Sequence, residues 1–294
     1  MRTLSVTVDE TLEGRSAAWI LRNRLKLSAG LISRIKLRET GILLNGVRCR
    51  TTAKVKLHDV LTAEVGDLPE ETGAVPVDYP LPVLYEDEDF LILDKPAGMA
   101  THGRTSHFEE CTVANVLAYR LGTDQPFHPV NRLDKGTSGL MCTAKSSYIH
   151  DRLRTQLHTD EFVREYLAVA EGTFTEDAGS ITLPIEKDDA PGNKQRVTET
   201  GAYARTDFQV LETRNGRTLL KLRLYTGRTH QIRVHLAAIG HPLLGDELYG
   251  SPDQAISRPA LHSVYIGLRQ PVTGEWIERI SELPEDMRRV FYED

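Results

Sequence analysis

The chain of 294 residues has few cysteines and no long apolar run. Its three cysteines, Cys49, Cys111 and Cys142, are odd in number and far apart, which argues against a disulfide framework and against a zinc site. No apolar stretch approaches the length that crosses a bilayer, and the N-terminus lacks the apolar segment of a signal peptide. We therefore expect a protein of the reducing cytoplasm that makes no membrane contact.

The loops that mark nucleotide enzymes and hydrolases are missing as well. The patterns G-x-x-x-x-G-K-[ST], G-x-G-x-x-G and G-x-S-x-G do not occur, so nucleotide hydrolysis, dinucleotide binding and α/β-hydrolase chemistry have no support. Three histidines, His230, His235 and His241, follow one another closely, but their spacing matches no recognised set of metal ligands. The sequence therefore predicts neither a metal nor a cofactor.

Basic residues are concentrated near the N-terminus. Residues 15–60 carry eleven Lys and Arg side chains against two acidic ones, a net charge of +9. Because the whole chain is at −6, the remainder is at −15. A charge run is most often a solvated helix face, but solvated faces usually mix both signs. We interpret this basic segment as the contact for a polyanionic partner.

Composition divides the chain into three parts. A small module covers residues 1–67 and a larger domain covers residues 81–294. Residues 68–80 lie between them, with three prolines and no periodicity, which is typical of a linker. We therefore expect two folded units that are joined by an irregular segment.

The module is predicted to contain two helices followed by a small sheet. Between residues 17 and 39, Leu27, Leu31 and Ile35 recur at every fourth position and form one apolar stripe. The Asn-Gly pair at 45–46 is a strong signal for a hairpin turn between two strands. The module is therefore predicted to be a small α/β unit.

In the larger domain, strand and helix patterns mix without strict alternation. This favours an α+β fold that is built on a mostly antiparallel sheet. The expected elements are a hairpin over 83–98, strands over 139–144, 164–171, 219–225 and 261–267, and helices over 112–121, 147–158 and 229–239.

The most unusual stretch is the loop HPVNRLDKGTSGLMC, residues 128–142. Asp134 stands between Arg132 and Lys135, and the small residues that follow would let a ligand approach the backbone closely. An aspartate in such a loop more often bonds its own backbone in a turn. Both interpretations remain open on this stretch alone.

Residues 132–140, RLDKGTSGL, closely resemble the signature of the RluA-type family of RNA pseudouridine synthases. The stretch LSAGLISRIKLRETGILLNGVRC of the module resembles the S4 RNA-binding domain, a frequent companion in that family. The larger domain also resembles the family in order along the chain, at 83–103, 164–172, 227–250 and 260–275.

The resemblance implies an isomerase that converts uridine to pseudouridine in structured RNA, with large-subunit ribosomal RNA as the favoured substrate and no cofactor. It implies that Asp134 is the carboxylate that opens the reaction and that Arg228 pairs with it. Tyr166 is implied to stack on the extruded base, although a strand aromatic more often packs in the core. Arg132 is implied to fill the space that the flipped base leaves.

We expect the enzyme to act as a monomer and the module to bind RNA through its basic side chains. The candidates for that contact are Arg22, Arg24, Arg34, Lys36 and Arg38.

Two positions depart from the family pattern. Asn131 stands where the family usually has His, and Arg164 stands where it often has Lys. Arg164 keeps the charge but changes the geometry of its donors. Two alternatives remain, a synthase that modifies tRNA and a non-catalytic RNA-binding protein of ribosome assembly. Asn131 is the one feature that favours the second alternative.

Overall fold

A computed structural model gives the fold and describes residues 1–70, 72–103, 111–189 and 193–293. Strands predominate in this part of the chain, and none of its helices is long and apolar enough to cross a membrane. The strands are β1 (Arg2–Thr7), β2 (Ile42–Leu44), β3 (Val47–Arg48), β4 (Val60–Val65), β5 (Val83–Glu86), β6 (Phe90–Lys95), β7 (His128–Pro129), β8 (Ser138–Ala144), β9 (Phe162–Glu171), β10 (Ala178–Ile181), β11 (Ile185–Lys187), β12 (Gln195–Val197), β13 (Thr206–Arg214), β14 (Arg217–Leu224), β15 (Leu261–Arg269) and β16 (Trp276–Ile280). The helices are α1 (Ala17–Asn23), α2 (Ala29–Ile35), α3 (Val113–Leu121), α4 (Ser147–Gln156), α5 (Gln231–Ala238) and α6 (Glu285–Tyr292).

The first four strands form a sheet of their own, in the order β1-β4-β2-β3, with α1 and α2 packed beside it. The predicted stripe of Leu27, Leu31 and Ile35 is buried, because it is the face that the helices turn toward this sheet. Asn45 and Gly46 both have positive φ, 52° and 78°, as a tight hairpin turn between β2 and β3 requires. The predicted stripe and hairpin are therefore confirmed.

The larger sheet has ten strands and is antiparallel throughout except between β8 and β15. Its central path runs β10-β13-β14-β9-β15-β8-β6-β5, with β16 on β15 and β7 on β8. Helices α3, α4, α5 and α6 lie outside the sheets and bury apolar side chains. The prediction of an α+β fold with a mostly antiparallel sheet is confirmed.

The two sheets share one apolar cluster. It runs from Ile20 and Leu31 of the helices beside the first sheet to Phe90 and Ile266 of the larger sheet. Polar contacts reinforce the junction. Arg2 pairs with Asp89 at 2.9 Å, His128 pairs with Asp67 at 2.8 Å, and the Ser28 hydroxyl donates to Asp151.

Residues 68–80 contain no helix or strand where they are described. They nevertheless bond to the larger domain, since the Val77 amide donates to the Asn115 carbonyl and the Asn115 side-chain amide donates to the Val75 carbonyl. The segment therefore follows the surface beside α3. The division into 1–67, 68–80 and 81–294 stays a prediction. Because the two sheets share a core, deletion of the whole module would remove part of the packing of the larger domain.

A close backbone approach at Gly139 joins β8 to β15 and sets the position of the loop that precedes β8. Gly139 has φ of 105°, and a Cβ atom there would lie 2.3 Å from the Ser263 carbonyl oxygen. Only glycine meets both conditions. The loop around Asp134 thus enters the sheet at a point where the backbone has no freedom to shift.

We expect Gly139→Ala to destabilise the fold far more than Gly274→Ala. Gly274 also has positive φ, 76°, but a Cβ atom there meets nothing within 4 Å. Both substitutions carry the backbone penalty of about 1–2 kcal/mol, and Gly139→Ala adds about 1–3 kcal/mol of overpacking. Chemical denaturation of both variants measures the difference. Equal losses of stability would mean that β15 yields easily and does not fix the loop.

Candidate active site

Four chain segments meet at one edge of the larger sheet. Lys95 ends β6, and its strand partner Gly139 lies at the start of β8, so the loop before β8 returns to the same edge. Tyr166 lies in β9, and α5 begins beside the loop. This meeting point surrounds Asp134.

The carboxylate of Asp134 faces two nitrogen donors. Its Oδ2 lies 3.5 Å from Nη1 of Arg233 and 3.9 Å from Nε2 of His230, and the side chain is 31% exposed. The turn expected at this position exists, but the Thr137 amide closes it by donating to the backbone carbonyl of Asp134 at 3.0 Å. The turn therefore leaves the carboxylate open to a ligand.

Arg233 is held from behind by a second carboxylate. Its Nε and Nη2 donate to the two oxygens of Asp246, each at 2.7 Å, and Asp246 is wholly buried. Burial alone would lower the pKa of Arg233, but the paired Asp246 outweighs it and raises the pKa. The guanidinium is therefore a fixed positive charge with Nη1 directed to Asp134.

The pairing of Arg228 with Asp134 that the sequence analysis expected is wrong. Arg228 is exposed, and its Nε donates to the Tyr203 carbonyl at 3.0 Å. The reason is the start of α5, which begins at Gln231 and not at Thr229, after His230 in a left-handed conformation with φ of 54°. Arg228 therefore points away, and Arg233 in the first turn of the helix takes the place beside Asp134.

Tyr166 lies in the same part of the fold as Asp134, since the charge of Asp134 is among the influences that raise the pKa of the Tyr166 phenol. The ring is only 4% exposed and belongs to the core of the larger domain. Burial raises the pKa of Tyr166, and the neighbouring Arg164 opposes that rise. The Tyr166 ring is therefore a buried core side chain, as a strand aromatic usually is, and its raised pKa favours the neutral phenol.

Lys95 also belongs to the site, although it was not among the predicted site residues. It lies within residues 83–103, the first of the stretches that resemble the family. Its side chain is fully buried, and Nζ donates to the carbonyls of Pro96 and Met99, both at 2.9 Å, and of Lys135 at 3.4 Å. Burial lowers the pKa of Lys95 to about 7, while the charge of Asp134 raises it. Lys95 ties the turn after β6 to the catalytic loop.

Comparison with known proteins identifies the family. A family model described as RNA pseudouridylate synthase matches residues 89–238. The chain is 34% identical to the uncharacterized RNA pseudouridine synthase YhcT of Bacillus subtilis (strain 168), covering 98% of this chain and 96% of that protein. The chain belongs to the RNA pseudouridylate synthase family.

Other relatives agree with this assignment. The chain is 36% identical to ribosomal large subunit pseudouridine synthase D of Escherichia coli (strain K12), with 87% of this chain and 83% of that protein covered. The solved structure of human RNA pseudouridylate synthase domain containing 4 aligns with a TM-score of 0.56 and 26% identity, over 70% of this chain and 90% of that one. The predicted enzyme class, an isomerase that converts uridine to pseudouridine in RNA, is confirmed.

Asn131, one of the two departures from the family pattern, accepts a backbone hydrogen bond in this pseudouridine synthase. It is buried, and its Oδ1 accepts the Cys142 amide of β8 at 2.8 Å. Asn131 therefore fastens the start of the catalytic loop to the sheet. The next residue, Arg132, has an exposed side chain, and its charge adds to burial in lowering the pKa of the His102 imidazole.

Of the three closely spaced histidines, His235 and His241 bond to different groups. His235 is buried between Thr206 and the Leu183 carbonyl, and His241 bonds the Glu171 carbonyl. Across residues 1–70, 72–103, 111–189 and 193–293, no three His, Cys, Asp or Glu side chains are grouped to hold a metal ion.

The basic candidates of the module lie at the surface. Arg22, Arg24, Arg34 and Lys36 are exposed, and Arg38 is half-buried. In the part of the chain that the structure describes, Arg24 alone of these five pairs with a carboxylate, Asp9 at 3.9 Å. Their charge is therefore largely uncompensated by the protein.

We expect Arg233→Lys to reduce kcat/KM at least about 10-fold, because lysine keeps the charge but cannot serve Asp246 and Asp134 at once. Arg228→Lys should stay within about 3-fold of the parent enzyme, since its one bond goes to a surface carbonyl. Steady-state turnover of a short RNA by both variants provides the measurement. A larger loss from Arg228→Lys would restore the role that the sequence first assigned to it.

Proposed function

We propose that this chain converts uridines of large-subunit ribosomal RNA to pseudouridine, with Asp134 as the carboxylate that opens the reaction. The carrying observation is the arrangement at Asp134, a partly exposed carboxylate that faces Nη1 of Arg233 at 3.5 Å and Nε2 of His230 at 3.9 Å. The choice of RNA is supported by relatives that are named ribosomal large subunit pseudouridine synthase D. A tRNA substrate is the alternative that the same experiment tests.

In the reaction the C1′–N1 bond of uridine breaks and a C1′–C5 bond forms. The proton on C5 is released and N1 gains one, so the product is an isomer and no co-reactant is needed. An ionised carboxylate opens this sequence either by attacking C1′ or by taking a proton from C2′. Arg233 presents a fixed positive charge at 3.5 Å from Asp134 Oδ2 and so helps to orient the carboxylate toward the ribose.

The buried site requires that the uridine leave its stack. Extrusion of a base costs a few kcal/mol. The exposed guanidinium of Arg132, two residues before Asp134, is placed to enter the space that the base leaves and so offset part of that cost. The side of Tyr166 that remains accessible would meet the extruded base.

We further propose that residues 1–67 are an S4-like RNA-binding domain that positions large RNA over the site. The support is the small sheet with two helices and the set of exposed cations on them. We expect the enzyme to act as a monomer in the cytoplasm, where its three free cysteines would stay reduced.

Asp134→Asn should abolish pseudouridine formation while stability and RNA affinity change little, because the amide has almost the same volume but cannot act as a base or nucleophile. The measurement is mapping of pseudouridine in total RNA from cells that carry the parent gene, no gene or the variant. Sites lost without the gene identify the substrate, and sites in tRNA alone would contradict the ribosomal assignment.

The matched control is Asp94→Asn. The carboxylate of Asp94 lies in β6 outside the site and accepts a hydrogen bond from Ser281. The Asp94→Asn variant should restore pseudouridine in cells that lack the gene. If Asp134→Asn also restores it, Asp134 is not the reacting carboxylate.

Replacing three module cations should weaken the salt dependence of RNA binding. Each phosphate contact adds about 0.7–0.9 to the slope of log K against log salt, so the triple substitution should flatten the slope by about two to three units. The substituted residues are Arg22, Arg34 and Lys36, each changed to Gln. This design avoids deletion of the module, whose core is shared with the larger sheet.

The control carries the same charge change on the larger domain. Arg214, Arg288 and Arg289 are exposed there and are replaced by Gln together. Binding of a large structured RNA is measured across a salt series for both triple variants. Equal slopes for the two variants would contradict a special role of the module.

A further inference from the structure

His230 lies between Asp134 and Tyr249, and nothing in the proposed reaction yet uses it. Its Nδ1 lies 2.9 Å from the Tyr249 hydroxyl, and its Nε2 lies 3.9 Å from Asp134 Oδ2. The imidazole is 13% exposed, so its orientation is set by these contacts. The positive φ of 54° at His230 is unusual for a residue other than glycine and marks a position that the fold constrains.

Tyr249 also contacts the second group beside Asp134. The guanidinium of Arg233 lies over its ring at 5.0 Å from the ring centre. The hydroxyl accepts the backbone amide of Gln195 at 2.8 Å. One tyrosine therefore touches both residues that face the catalytic carboxylate.

The hydrogen bonds at the hydroxyl decide which imidazole nitrogen carries hydrogen. The phenol oxygen accepts the Gln195 amide, and Nδ1 of His230 at 2.9 Å is the acceptor to which we assign the phenol hydrogen. The hydrogen of the neutral imidazole is then on Nε2, the nitrogen that faces Asp134. The opposite tautomer would set a lone pair against the carboxylate oxygen and is disfavoured.

We propose that His230 is a positioning residue that donates Nε2–H to Asp134 during the reaction, with Tyr249 fixing the tautomer. This inference rests on the proposed role of Asp134. Catalytic hydrogen bonds are often long before the substrate binds and shorten when it does. A partly exposed carboxylate at 3.9 Å closes that distance by a small rotation.

The charges around His230 suit a neutral donor. It is faced by Asp134, Arg233, Asp246 and Tyr249. Burial is the largest influence and lowers the pKa of His230, although Asp134 and Asp246 raise it. A neutral imidazole can donate a hydrogen bond to the carboxylate without cancelling its charge. Arg233 is charged, and two of its three guanidinium nitrogens already donate to Asp246.

The test is Tyr249→Phe in the full-length enzyme, acting on a short RNA that contains the mapped uridine. The ring stays under Arg233, but the hydroxyl that fixes His230 is removed. We expect kcat to fall about 10-fold with KM unchanged, and the acid limb of the kcat–pH profile to move to higher pH. Tyr265→Phe is the matched control, since its hydroxyl bonds Glu278 on the far strand β16, and it should match the parent enzyme.

His230 itself gives the second arm. The amide N–H of Gln can reach the position of Nε2, so His230→Gln should retain several times more kcat than His230→Ala and keep the acid limb nearer to that of the parent. Tyr249→Phe with the parent kcat and profile, or equal activities of His230→Gln and His230→Ala, would overturn the inference. If Asp134→Asn stays inactive in those cases, only the role of His230 fails, whereas an active Asp134→Asn removes the basis of both proposals.

Discussion

The buried ion pair between Arg233 and Asp246 is the constraint on which the rest of the site depends. Asp246 is wholly out of contact with solvent, and a carboxylate in that position requires a partner that satisfies both oxygens. The forked guanidinium does so with two bonds of 2.7 Å. This pins the first turn of α5, which in turn fixes His230 before the helix and the Nη1 that faces Asp134.

The second constraint is the shared core of the two sheets. The module is joined to the larger domain by an apolar cluster and by the ion pair of Arg2 with Asp89, so its cations have a set direction relative to the site. A flexible tether would only raise the local concentration of RNA. A module that is packed on the larger domain instead presents its exposed cations in one fixed direction relative to Asp134.

Several features of the fold were predictable because a local rule decides them. The Asn45-Gly46 turn, the stripe at Leu27, Leu31 and Ile35, and the strands that come before and after Asp134 along the chain follow from backbone conformation and from apolar periodicity. Helix α6 was not predicted, although its short apolar face at Met287, Val290 and Phe291 packs on the core. Its eight residues offered too short a pattern, since two acidic side chains and two arginines leave only a few apolar positions.

The contact of Arg233 with Asp134 was not predicted, although the sequence contains a signal for it. Six successive residues of α5, Gln231–Leu236, are buried, and an arginine within such a run requires a buried carboxylate. The family resemblance instead implied that Arg228, which lies just before the expected helix start at residue 229, pairs with Asp134. One guanidinium therefore serves two carboxylates that differ in burial, and the buried Asp246 takes its two strong bonds. The contact of Nη1 with Asp134, at 3.5 Å, is longer than the two bonds to Asp246, so the guanidinium faces Asp134 without holding it as tightly.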